Sequence, residues 1–140
     1  MEYISNSEKD TLELAERIAA TCVGNEIIVL DGDLGAGKTT FTKGFAKAIG
    51  IKRTVTSPTF TLMKSYADGK FPLYHFDLYR ITDEAEVEEL GFSDYLGSDG
   101  ICLIEWNKFS NLKGNIIEIH FDYLSETTRK ITVERGENKS

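Results

Sequence analysis

Eight consecutive residues, Gly32-Asp33-Leu34-Gly35-Ala36-Gly37-Lys38-Thr39, satisfy the pattern G-x-x-x-x-G-K-[ST] in full. Each residue type has a reason to be there. Glycines at 32, 35 and 37 permit backbone angles and close approaches that a Cβ would block, so successive N–H groups can point inward at phosphate oxygens. The positive end of a following helix adds to that field. Asp33, Leu34, Gly35, Ala36, Gly37, Lys38, Thr39 and Thr40 therefore form the predicted phosphate-binding stretch. Lys38 is suited to bridge β- and γ-phosphates and to stabilise charge during transfer, the Thr39 hydroxyl to ligate Mg²⁺, and Thr40 to reach the α-phosphate. The alternative is a glycine-rich turn with a solvated lysine, which the surrounding strand–turn–helix pattern disfavours.

A site of this kind needs an acid at a neighbouring strand end to hold Mg²⁺ or orient a water. Glu105 closes the apolar run Ile101-Cys102-Leu103-Ile104, and Asp77 lies among aromatics in "YHFDLYR". Both are candidate catalytic residues and, with Thr39, candidate metal ligands. An ion pair between Asp77 and Arg80 and a rim position for Glu105 are the competing readings. His75 reads as structural. Thr59, in the Ser57-Pro58-Thr59 loop, occupies a place where γ-phosphate-sensing segments sit, although threonine also suits a turn. "NKFS" at 107–110 lacks the aspartate of a guanine-reading motif, and Asp94-Tyr95-Leu96-Gly97 follows no predicted core strand. Adenine becomes the expected base.

The elements that must position these residues follow from periodicity. Ser7 and Asp10 open a helix over about 8–21, with Leu14, Ala15, Ile18 and Ala19 at helical spacing. Glu26 to Leu30 reads as a central strand ending at an Asp-Gly turn, and Phe41 to Ile49 as a helix stopped by Gly50. A Thr/Ser-rich loop follows over 52–62. Phe60 to Tyr66 and Phe71 to Leu78 flank Asp68-Gly69 as a hairpin. Asp83 to Leu90 is a short helix closed by Gly91, Ile101 to Ile104 a buried strand, and Ile116 to Tyr123 with Lys130 to Glu134 a closing hairpin. The expected fold class is α/β, a P-loop nucleotidase with a mixed, centrally parallel sheet, flanking helices and antiparallel edge strands. One domain over 1–140 is expected, its tail over 134–140 frayed.

Composition narrows the function classes. Apolar residues make up 41% and charged residues 28%, which excludes a disordered chain. No apolar run approaches the ~20 residues of a membrane span, and the start "MEYISNSEKD" lacks a leader's basic and apolar regions, so a cytoplasmic location is expected. Cys22 and Cys102 lie too far apart for a zinc motif and read as small buried apolar residues. A net charge of −7 repels a phosphate backbone, so another protein is expected to hold any nucleic acid.

Taken together and in order, "GDLGAGKTTFTKGF", "TSPTFTL", "LYHFDLYRI", "ELGFSDYL" and "ICLIEW" resemble the bacterial TsaE (YjeE) family, over about Thr11 to Tyr123. The resemblance implies a small Mg²⁺-dependent ATPase of tRNA threonylcarbamoyladenosine synthesis. It would support turnover of TsaD-like and TsaB-like partners, which carry out the transfer, and meet tRNA only through them. Lys38, Thr39 and Thr40 match the family's phosphate and magnesium residues, Asp77 its motif aspartate, Glu105 and Trp106 its Glu-Trp pair, and Thr59 its switch-like loop. Arg129 matches an arginine near the nucleotide, and the segment from Ser7 to Thr11 an adenine contact. Two other functions stay open on the residues alone: a small-molecule kinase, for which no arginine-rich lid is visible, and a nucleotide-sensing adaptor without useful catalysis.

Overall fold

Gly32 ends the middle strand of the sheet and Lys38 opens the helix that follows, so the two described ends of the predicted phosphate-binding stretch are fixed by these elements. In this computed structural model the described residues are 1–32, 37–56, 58, 61–110 and 112–136. In chain order their elements are β1 (Glu2–Ser5), α1 (Glu8–Ala20), β2 (Ile27–Gly32), α2 (Lys38–Ala48), β3 (Met63–Tyr66), β4 (Leu73–Asp77), α3 (Glu84–Glu89), a 3₁₀ turn (Phe92–Tyr95), β5 (Ile101–Glu105), β6 (Ile116–Tyr123) and β7 (Arg129–Gly136).

Among the described residues seven strands form one sheet in the order β1-β7-β6-β2-β5-β4-β3. β2 pairs in parallel with β5 and β6, and β4 in parallel with β5. The pairs β3–β4, β6–β7 and β1–β7 are antiparallel. A parallel centre with antiparallel edges is the α/β class expected. The apolar run Ile27-Ile28-Val29-Leu30 suits β2 because the strand is covered on both faces.

α1 and α2 cover one face, where Leu14, Ile18, Phe41 and Phe45 meet Leu30, Leu103 and Phe121. Ser7 caps α1 by accepting from the Asp10 N–H at 3.2 Å, and the Asp10 carboxyl accepts from the Asn6 N–H at 2.9 Å. The two helices approach closely at Gly44, where a Cβ would stand 2.8 Å from Leu12 Cδ2 and 3.3 Å from Ala15 Cβ. On the opposite face Phe76 makes edge-on contacts with Phe92 and Phe109, at centroid distances of 5.2 and 5.9 Å. α3 and the 3₁₀ turn add Val87 and Phe92 to that core.

Several boundaries differ from the sequence reading. α2 begins at Lys38, a turn before the predicted Phe41, because the phosphate-stretch residues Lys38 to Thr40 already form its first turn. β2 continues through Asp31 and Gly32, held by pairing with His120 and Phe121 on β6. β5 takes in Glu105 itself. β7 runs from Arg129 to Gly136, past the predicted Glu134, since Glu134 to Gly136 pair with Ile116 to Glu118. β1 was not anticipated. Cys22 and Cys102 are buried and free, and burial, the leading cause, pushes both thiols up to about 12.

Candidate functional site

β2 ends at Gly32, whose φ of +145° places its Cα against the neighbouring strand; a Cβ there would stand 2.6 Å from the Phe121 carbonyl oxygen. The sequence needs glycine at that point for both reasons. The chain enters α2 through Gly37, which is left-handed at φ 109°, and no side chain caps the helix. Among the described residues no side chain accepts from the first-turn N–H groups of α2, the arrangement that favours anions at a helix N-terminus.

Lys38 sits at this entry, only 5% exposed. Its Nζ donates to the Gly32 carbonyl at 2.7 Å and lies 4.2 Å from the centre of the Trp106 ring. The cation is held between a carbonyl and an aromatic face, both of which leave it able to turn toward a phosphate. Trp106 adopts φ 56°, a left-handed conformation uncommon for a bulky residue, and packs edge-on against Tyr79 at 5.0 Å. That turn lets β5 deliver Glu105 to one side of the sheet and the indole to Lys38 immediately afterwards.

A cavity of about 500 Å³ opens beside the start of α2. Gly37, Lys38, Thr39 and Thr40 form its floor and Glu105 enters from the end of β5. Ser5, Ser7 and Thr11 wall one side, and Glu126, Thr127 and Arg129 another. Thr39 is exposed there. The Arg129 stem lies beside Gly37, its Cγ 3.9 Å from where a Cβ would be, and its guanidinium stacks 4.5 Å from the Tyr123 ring. The Ser5 and Thr11 hydroxyls share a buried 2.7 Å hydrogen bond. The described lining thus combines the cations Lys38 and Arg129, a helix N-terminus and hydroxyls with three carboxylates, Glu8, Glu105 and Glu126; the amides, hydroxyls and cations suit a polyphosphate and the carboxylates a divalent counter-ion. A neighbouring cavity of about 510 Å³, beyond Trp106, is lined by Asp31, Glu118 and Glu134 with Lys108 and His120, and its described lining includes no helix N-terminus.

Of the predicted site residues, Gly37, Lys38, Thr39, Thr40, Glu105 and Arg129 are brought together at one cavity, and Trp106 covers Lys38 from the adjoining side. Asp77 is not among the lining residues. It stands one strand away, paired in register with Glu105, its carboxyl accepting from the Tyr79 N–H at 3.1 Å. Asp33, Leu34, Gly35, Ala36 and Thr59 lie outside the described residues.

The sequence reading took His75 as structural and did not anticipate its contact with Glu105. Its Nε2 is 2.7 Å from Glu105 Oε2, and the two side chains are 3% and 12% exposed. A carboxylate oxygen accepts, so the tautomer with the proton on Nε2 fits this contact; Nδ1 is buried and, among the described residues, has no partner. The available signal was strand alternation, which puts His75 and Asp77 on the same face of β4. The wall from Ser5 was missed with β1, whereas Ser7 to Thr11 coincides with the segment expected to meet the base.

A parallel-centred α/β sheet with G-x-x-x-x-G-K-T between its middle strand and the next helix defines the P-loop class. The family model "Threonylcarbamoyl adenosine biosynthesis protein TsaE" matches residues 5–131, and the chain belongs to that family. The TsaE protein of Aquifex aeolicus is 43% identical over 136 residues, 96% of each chain. That of Bacillus subtilis is 52% identical over 98 residues, 70% of this chain and 61% of the Bacillus protein. The crystal structure of Bacillus subtilis YdiB superposes with a TM-score of 0.78 at 35% identity, covering 95% of this chain and 83% of that one. Among the described residues no helix is long and apolar enough to cross a membrane.

Proposed function

We propose that the chain is a Mg²⁺-dependent ATPase of the tRNA threonylcarbamoyladenosine machinery, acting in the cytoplasm to support turnover of TsaD-like and TsaB-like partners. The observation that carries this reading is the convergence of Lys38, Thr39, Arg129 and Glu105 on one cavity at an uncapped helix N-terminus. The amides at the start of α2 bind phosphate oxygens. Lys38 swings from the Gly32 carbonyl to the transferring phosphate, and Arg129 offsets charge on the opposite wall. The walls from Ser5 to Thr11 hold the adenosine end.

Thr39 and Glu105, with Asp77 beside Glu105, offer hard oxygen donors and would hold the metal. They fit Mg²⁺, which is commonly bound through few protein ligands plus substrate phosphates. When bound, the ion supplies charge neutralisation on the triphosphate. Glu105 is oriented by His75 and is the group placed to position a water.

Steady-state ATP turnover, with and without TsaD and TsaB, tests the reading. Slow hydrolysis stimulated by the partners is expected. Lys38→Ala should lower turnover about 100-fold or more, by analogy with loss of one preorganised donor. Glu105→Ala should lower turnover with a smaller loss of nucleotide affinity. A phosphorylated small-molecule product in place of inorganic phosphate would make the chain a kinase. Partner binding that differs between ATP and ADP without hydrolysis would make it an adaptor.

A further inference from the structure

Tyr79 is 61% exposed, yet its ring stands edge-on to the Trp106 indole, with ring centres 5.0 Å apart and planes 65° apart. The backbone fixes this meeting. Asp77 pairs in register with Glu105 across β4 and β5. Just beyond that pair, the buried Leu78 donates its N–H to the Glu105 carbonyl at 3.1 Å. The Tyr79 N–H donates to the Asp77 carboxyl at 3.1 Å, two residues back, a turn pattern common after aspartate. The chain leaving β4 is therefore tied to the chain leaving β5, and residues 79 and 106 emerge side by side. None of these ties involves the Tyr79 ring.

The indole needs such a brace. A φ of 56° is uncommon for a bulky residue and persists only where the surroundings enforce it. Trp106 also borders the cavity of about 510 Å³, and among the described residues Tyr79 is the only aromatic ring against it. What the indole holds is costly to misplace. Lys38 is 5% exposed, and among the described residues no carboxylate lies within 4.0 Å of its ammonium. A buried cation has to be compensated. The Gly32 carbonyl at 2.7 Å and the indole face at 4.2 Å provide that compensation, and a turn of the indole removes one of the two.

We propose that Tyr79 is a positioning residue for Lys38 and acts through Trp106. The Tyr79 ring fixes the indole, and the indole face confines the lysine ammonium at the entry to α2. A lysine carries several rotatable bonds, and restricting them in advance lowers the cost of placing its charge on a phosphate. Tyr79 does not line the cavity at the start of α2, so its influence on the reaction runs through the indole. The contact uses the ring and not the hydroxyl, so phenylalanine can stand in for tyrosine here. This inference rests on the ATPase reading above and deepens it by adding, from outside the cavity, a group that sets the Lys38 charge.

Kinetics and fluorescence on the full chain test it together. In steady-state ATP turnover with TsaD and TsaB, Tyr79→Ala should lower kcat about 5-fold or more, the size of one lost cation–π contact. KM for ATP and, by calorimetry, Kd for ADP should stay within about 3-fold of wild type. Tyr79→Leu, which keeps apolar bulk without a ring, should match Tyr79→Ala, and Tyr79→Phe should restore turnover. In a Trp106→Ala background Tyr79→Ala should cost nothing further. A thermal midpoint within about 3 °C of wild type, as suits an exposed side chain, shows that each Tyr79 variant folds. Trp106 is the only tryptophan of the chain, so intrinsic emission reports this indole alone. Tyr79→Ala should move that emission to longer wavelength, and Lys38→Met should shift it in the wild-type background but not in Tyr79→Ala. The proposal is overturned if Tyr79→Ala turns over ATP as wild type does, if Phe and Leu do equal damage, or if Lys38→Met shifts the emission equally in both backgrounds. Absence of hydrolysis by wild type under every condition would sink the ATPase reading instead, while the emission measurements would still decide whether Tyr79 sets the contact between Lys38 and Trp106.

Discussion

The Glu105 carboxyl is held by the His75 ring, Nε2 lying 2.7 Å from Oε2. A buried hydrogen bond to a charged group contributes about 1.5–3 kcal/mol, and its loss also frees the carboxyl to rotate. His75→Leu should therefore lower ATP turnover about 10-fold or more while leaving ADP affinity within a few-fold of wild type. His75→Gln, which can place an N–H near the original Nε2 position, should restore a substantial part of the loss. Single-turnover hydrolysis and ADP calorimetry on both variants check this, and equal damage by Leu and Gln would reduce His75 to a packing residue. The phosphate stretch and Glu105 were legible because each is a local pattern, a motif in one case and an apolar run closed by an acid in the other. His75 was not legible as a partner because the pairing spans 30 positions and depends on the β4–β5 register.

The ends of β2 and β6 show what an element contributes beyond its residues. Their pairing sets Asp31 beside His120, and strand alternation brings Asp122 within reach of the same ring. His120 Nδ1 lies 2.8 Å from Asp31 and Nε2 3.0 Å from Asp122. The Asp31 bond is the chief cause that raises the His120 pKa above 6.5. A histidine whose folded pKa is raised stabilises the fold fully below pH 6.5, and that contribution fades as pH climbs through the higher folded value. The ring is 48% exposed, so solvent limits the effect to about 1 kcal/mol or less. Thermal midpoints should accordingly fall more between pH 6 and 8 in wild type than in Asp31→Asn, by about 1–3 °C. Parallel profiles for the two proteins would remove the pair from the pH response. Periodicity located β2 and β6 in the sequence but could not give this pairing, since a 3.3 Å rise fixes strand length and says nothing of which strands become neighbours. The helix boundary at Lys38 was obscured for a different reason: glycine and threonine around it favour turns, and the packing of Phe41 and Phe45 in the core overrides that preference.

At the scale of the whole molecule, the first strand in the chain completes the sheet at its last. β1 pairs Glu2 to Ser5 with Thr132 to Arg129, and the Met1 amine donates to the Val133 carbonyl across 132 positions. Tyr3 packs on the helical core with Arg17 5.3 Å from its ring centre, and Ser5 bonds Thr11 in the cavity wall. One short segment therefore protects the β7 edge and shapes the cavity at the start of α2. It escaped the sequence reading because four residues give too little alternation to recognise, and their value comes only from β7. Removing residues 1–5 should lower the thermal midpoint by about 5–10 °C, as expected for loss of a few kcal/mol in a domain of this size. It should also weaken ADP binding at least 3-fold and expose an edge that invites self-association at high concentration. Calorimetry, ADP titration and light scattering on the truncated chain read the three effects. A truncated protein as stable and as tight-binding as the full chain would mean that β7 closes the sheet unaided and that the cavity wall begins at Asn6.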